Sequence, residues 1–133
     1  MVERRRRKRL PWISMQAWVR VKKNLFSSDW VTVEVADYNS LGMGIRPDQG
    51  LAESLQSQES IQISLSLETE VGEISADGVA AKVRHVDEKD GSTFVGIEFE
   101  KGVKTAVKES LERIESIMSR HQQLSERISA GSE

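Results

Sequence analysis

The chain contains no cysteine. Disulfides, thiol nucleophiles and thiolate metal sites are therefore excluded. It has two histidines, His85 and His121, too few for a histidine-rich metal cage. Aromatic residues make up only 5% of the chain. No apolar run approaches the roughly 18–20 residues of a membrane span, so none is expected. The arginine block near the start has no apolar segment behind it, which is not the pattern of a secretory signal. The expected compartment is the cytoplasm. Catalytic signatures are also missing. There is no Gly-x-x-x-x-Gly-Lys-Ser/Thr loop, no Gly-x-Ser-x-Gly elbow and no His-Glu-x-x-His pair. Carboxylates are plentiful, but no pair is placed by spacing as an acid–base couple. Neither an enzyme nor a cofactor is expected.

What is present is charge, unevenly spread. The 133 residues carry a net charge of −2. Residues 3–9, Glu-Arg-Arg-Arg-Arg-Lys-Arg, hold six cations and one anion, which leaves −7 on the rest of the chain. Like charges this close repel and resist burial, so residues 1–12 read as a basic, flexible arm on an acidic body. Such an arm is a solvated tail, a nucleic-acid patch or a clamp for a small polyanion. Five of its six cations are arginine. Guanidinium forks suit bidentate recognition of phosphate and of guanine edges, which favours specific anion recognition. The acidic body would repel a duplex outside the arm, so nucleic acid is not the expected partner.

Residues 13–102 read as one β domain. Alternating apolar positions mark strands at 15–21, 31–35 and 61–67. Val71–Ile74 reads as a short strand, and Ser75-Ala76-Asp77-Gly78 as a hairpin turn. Val79–Val86 and Thr93–Phe99 complete the set. Residues 37–45 are rich in turn formers, Pro47–Gly50 is a further turn, and 51–60 are polar and loosely patterned. Six short antiparallel strands predict a small barrel, which also removes exposed strand edges. In Val83-Arg84-His85-Val86, simple alternation puts Val83 and His85 on the same face, so His85 reads as a half-buried core histidine.

Residues 103–133 form the third unit, a C-terminal α-helix and tail. Val107, Leu111, Ile114 and Met118 make one apolar helical stripe. Its first turns dock across an open end of the barrel, or the stripe forms a seam between protomers. The expected state is a monomer or a weak dimer through this helix.

Binding chemistry is better supported than catalysis. An Asp carboxylate accepts from the N1–H and N2–H₂ donors of guanine, and arginine donates to O6 and N7. An acidic turn at 37–44 facing a basic arm makes a sensible guanine-nucleotide site; a plain strand connection is the alternative for the turn alone. Three segments together resemble a PilZ domain, a bacterial receptor module for cyclic di-GMP. The Arg-x-x-x-Arg element is matched by Arg5 and Arg9, with Arg4 and Lys8 as a second register. The Asp/Asn-x-Ser-x-x-Gly element is matched by Asp37 and Gly42, with Asn39 at the serine position as the one departure. The stretch from Val83 to Phe99 resembles the family's last two strands. The likeness spans roughly residues 3–102.

The resemblance implies a six-stranded antiparallel barrel with a C-terminal helix, and cyclic di-GMP as ligand. Arg5 and Arg9 would grip phosphates and guanine edges. Asp37 and Asn39 would bind from the barrel surface, and Gly42 would let the backbone approach. Trp12 is a further candidate, either stacking on a base or anchoring the arm as a buried side chain. Ligand binding would order the arm and create a surface for an unidentified effector protein. The alternative is a protein-interaction module of the same fold that no longer binds the nucleotide.

Overall fold

Alternation of apolar and polar residues becomes a closed barrel in a computed structural model, which describes residues 12–24 and 27–130. The strands are β1 (Ile13–Asn24), β2 (Ser27–Asn39), β3 (Gly42–Arg46), β4 (Ile61–Thr69), β5 (Gly72–Lys89) and β6 (Ser92–Phe99). All neighbours are antiparallel, in the order β1-β2-β3-β6-β5-β4, with β4 closing onto β1. Closure pairs every edge. The inward phase of each strand fills the interior. Ala17, Val19, Ile45, Ile63, Leu65, Leu67, Ala81 and Val95 are fully buried.

The architecture expected from the sequence is borne out, but its strands are divided differently. Ser75–Gly78 is not a hairpin turn. β5 runs unbroken through it, and Gly78 sits in a bulge with φ +61°. There Ile63 pairs with Val79 and Leu65 with Ala76, so one extra residue is accommodated opposite Ser64. The Gly78 N–H donates to Ser64 Oγ at 2.9 Å. An Asp-Gly pair suits a positive-φ bulge as well as a tight turn. Conversely, Gly42–Arg46 is a strand and not a continuation of the turn. Met43 and Ile45 point inward from it. The total stays at six because one merger offsets one omission.

Residues 49–56 form a short helix, α1 (Gln49–Gln56), where the sequence shows only weak patterning. Asp48 caps it by accepting from the Leu51 N–H at 2.8 Å. Its buried residues are Ala52 and Leu55, and it packs on β5 and β6. The second helix, α2 (Thr105–Ala130), covers β5 and β2. Leu111 and Ile114 are buried, and Val107 and Met118 pack beside them. The apolar stripe is thus spent on this chain's own barrel.

Candidate functional site

Two bulges create the outer surface of interest. In β2, Val35 pairs with Ile45 and Asp37 with Gly44, so Ala36 is the extra residue. In β5, Val83 pairs with Ile97 and His85 with Gly96, so Arg84 is extra. Each bulge shifts the side-chain phase by one. Val35 and Tyr38 then face inward, as do Val83 and Val86. Asp37 and His85 face out and are exposed. Alternation alone sends His85 into the core; the bulge at Arg84 is why it lies outside.

Because Gly44 pairs with Gly96, one row crosses four strands: Asp37, Gly44, Gly96, His85. The two glycines give the row a backbone floor. A Cβ at Gly96 would run into the His85 ring. One at Gly44 would meet the Phe94 ring, with Asp37 Oδ1 at 2.9 Å. The rings of His85 and Phe94 therefore lie on this floor, stacked with centroids 5.6 Å apart and planes at 29°. The Arg46 guanidinium stands 5.7 Å from the Phe94 centroid. His85 Nε2 is 3.8 Å from Asp87 Oδ2, and Arg84 pairs with Glu98.

The row opens into a groove of about 660 Å³, which Asp37, Asn39, Gly42, His85 and Phe94 all line. Three of the residues singled out in the sequence, Asp37, Asn39 and Gly42, thus meet on one surface. Asn39 has a definite local task. Its Oδ1 accepts from the N–H groups of Leu41 at 2.7 Å and Gly42 at 3.1 Å. This Asx-type turn closes the β2–β3 hairpin and leaves the amide nitrogen as its donor. Gly42 permits a close approach, because a Cβ there would strike the Ile97 carbonyl oxygen of β6. Leu41 at the hairpin tip is exposed.

Arg4, Arg5 and Arg9 lie outside the described residues. Trp12 is 50% exposed, which removes the buried-anchor reading, and it does not line the groove. Strand register nevertheless relates the arm to the site. β1 pairs with β2, the strand that carries Asp37, from Ala17 opposite Val33 to Asn24 opposite Ser27. Residues 1–12 therefore lead in sequence into a strand that neighbours the one carrying Asp37.

Neither short sequence motif points to His85 or Phe94 as a site residue. The available signal was glycine at positions 44 and 96, each in the outward phase of an apolar strand. A strand glycine of that kind often marks something lying close above it.

Comparison with protein-family models and with curated proteins finds no match to this chain. Solved structures do match. The PilZ domain of YcgR from Escherichia coli, solved with c-di-GMP, aligns over 90% of this chain and 97% of its own length, with a TM-score of 0.55 and 16% identity. The chain has the PilZ fold. The Borreliella burgdorferi PlzA protein, in complex with c-di-GMP, aligns over 77% of this chain and 44% of its own, with a TM-score of 0.43 and 7% identity.

Proposed function

We propose that the groove of this PilZ barrel is a receptor site for cyclic di-GMP. The observation that carries the reading is the convergence of Asp37, Asn39 and Gly42 on one groove. The site offers a guanine base a carboxylate acceptor at Asp37 and amide donors at Asn39. The ligand's two phosphates need cations. Residues 4–9, which precede β1 in the chain, supply them, with Arg5 and Arg9 as the principal pair and Arg4 as an alternate; β1 pairs with β2, the strand that carries Asp37. The c-di-GMP-bound PilZ domain of YcgR supports the same ligand class.

The protein then acts as a receptor and adaptor and not as an enzyme. Binding draws the arm over the groove, and the altered surface engages an effector protein in the cytoplasm. A second reading has its own observation: the Asn39 oxygen is already committed to the hairpin turn. On that reading the barrel is an interaction module without nucleotide affinity. Calorimetric titration with cyclic di-GMP separates the two. Saturable binding is expected, and a flat titration at low salt overturns the receptor assignment.

A further inference from the structure

The outer face of the barrel carries two stacked rings that the hydrophobic interior does not need. His85 has a side chain 56% exposed, and Phe94 is half-buried beside it. Their position depends on three separate features: the bulge at Arg84, and glycine at both 44 and 96. A side chain at either glycine would displace a ring. The Asp37 carboxylate reaches toward Gly44 while the His85 ring covers Gly96. Those glycines pair directly, so the carboxylate and the ring stand over neighbouring positions of one row. A row of this kind suits a flat heterocycle that meets a carboxylate at its edge and an aromatic surface on its face. The groove above the row, about 660 Å³, is within the usual range of roughly 300–1,000 Å³ for small-molecule sites.

We infer that His85 and Phe94 form a stacking platform for a purine base, with His85 as the exposed member that the base covers. The inference rests on the receptor reading above and assigns residues that lie outside both short sequence motifs. Phe94 lies next to the His85 ring on the same glycine floor and is itself held by Gly44 and the Arg46 guanidinium. Asp37 selects guanine at the base edge. Stacking is indifferent to base identity, because every base has a π-face.

The test titrates cyclic di-GMP into the full chain and into His85→Ala, His85→Phe and Asp37→Ala. Removing a stacking partner is expected to weaken binding by about 5- to 150-fold. His85→Ala should show that loss with an unchanged Tm, and His85→Phe should restore affinity to near that of the parent. Proton NMR of bound ligand supplies a readout that a structural role would not move. The guanine H8 resonance should shift upfield on the parent and on His85→Phe, and the shift should shrink on His85→Ala. Unchanged affinity and H8 shift in His85→Ala, alongside a severe loss in Asp37→Ala, overturn the platform and leave the receptor reading intact. No binding by the parent chain overturns both.

Discussion

The Tyr38 hydroxyl donates a 2.7 Å hydrogen bond to the main-chain carbonyl of Leu111, 73 residues further along the chain. Tyr38 lies between Asp37 and Asn39, which both line the groove. Its own ring points the other way, beside Phe99 at 6.2 Å between centroids. The strand that bears the site is thereby pinned to α2. Burial, and secondarily the Glu115 carboxylate, raise the phenol's pKa above its ordinary value.

Tyr38 therefore makes stability pH-dependent at the alkaline end. The folded pKa is raised, so its contribution is complete below the unfolded phenol's pKa near 10 and declines as pH rises beyond that. Tyr38 is the chain's one tyrosine, so tyrosinate absorbance reports on it alone. It should rise together with loss of the β-sheet circular dichroism signal, not before. Tyr38→Phe should lower stability at neutral pH by about 0.5–1.5 kcal/mol and flatten the alkaline decline. Ionisation near pH 10 in a still-folded chain would contradict the buried, bonded phenol.

Asp37→Ala and Arg9→Ala should each weaken cyclic di-GMP binding by about 10- to 150-fold, the value of a charge-assisted hydrogen bond of roughly 1.5–3 kcal/mol. Arg6→Ala should matter less. Calorimetry reads all three. Parent-like affinity in both Asp37→Ala and Arg9→Ala defeats the site assignment. An equal loss for Arg6→Ala would make the arm a nonspecific cation cluster.

The barrel was legible because its interior is filled by strict alternation, most cleanly at Ile61, Ile63, Leu65 and Leu67. Alternation assumes an uninterrupted pleat, and the site is built where the pleat is interrupted. Nothing in Val83-Arg84-His85-Val86 announces that Arg84 is extra; the phase comes from the register with Ile97 and Gly96 across the sheet. Gly78 reads locally as a turn because the residues that suit a turn also suit a bulge. Asp37 and Gly42 were legible through their motif spacing. The ring platform was not, because His85 faces outward only through the bulge at Arg84, and Gly44 reaches the β5–β6 hairpin only through the long-range pairing of β3 with β6. α1 escaped because its apolar contribution is concentrated in Ala52 and Leu55.

Asn39 provides a sharper test of the second motif. Its Oδ1 closes the turn onto Leu41 and Gly42, and a serine hydroxyl can make a similar, weaker turn bond. Asn39→Ser should bind cyclic di-GMP at least as well as the parent. Asn39→Ala should lose the turn bonds, lowering stability by about 1 kcal/mol and weakening binding. Ser40→Ala should be nearly silent. If Ser40→Ala abolishes binding while Asn39→Ala does nothing, the motif register is wrong.

Gly42→Ala probes the barrel seam and not a ligand contact alone. The added Cβ would meet the Ile97 main-chain oxygen, which cannot rotate away. Accommodating it must push β3 from β6 where Gly42 pairs with Glu98. Chemical denaturation should show a loss of about 1–3 kcal/mol. Gly102→Ala, where a Cβ meets nothing, is the matched control and should change stability little. Equal, small effects would mean that the close approach at Gly42 carries no weight.

The adaptor mechanism makes the most demanding prediction, because it states where change is confined. The barrel strands already bury their inward faces without ligand, so cyclic di-GMP has little order to add there. The arm is different: six cations and one anion at 3–9 gain a counterion when two phosphates arrive. Amide hydrogen exchange should therefore slow at residues 4–12 and 37–44 on binding. The effect should weaken with added salt as the charges are screened. Protection should change little at Ile61–Leu67 and Val95–Phe99. The Tyr38–Leu111 bond supplies one route out of the site, so any further change should appear in α2 around Leu111, and Tyr38→Phe should abolish it without removing the protection at the arm. Uniform protection across the barrel, with no gain before Ile13, would mean that ligand stabilises the fold as a whole. The arm would then not be the moving part, and the surface offered to an effector would have no ligand-dependent element.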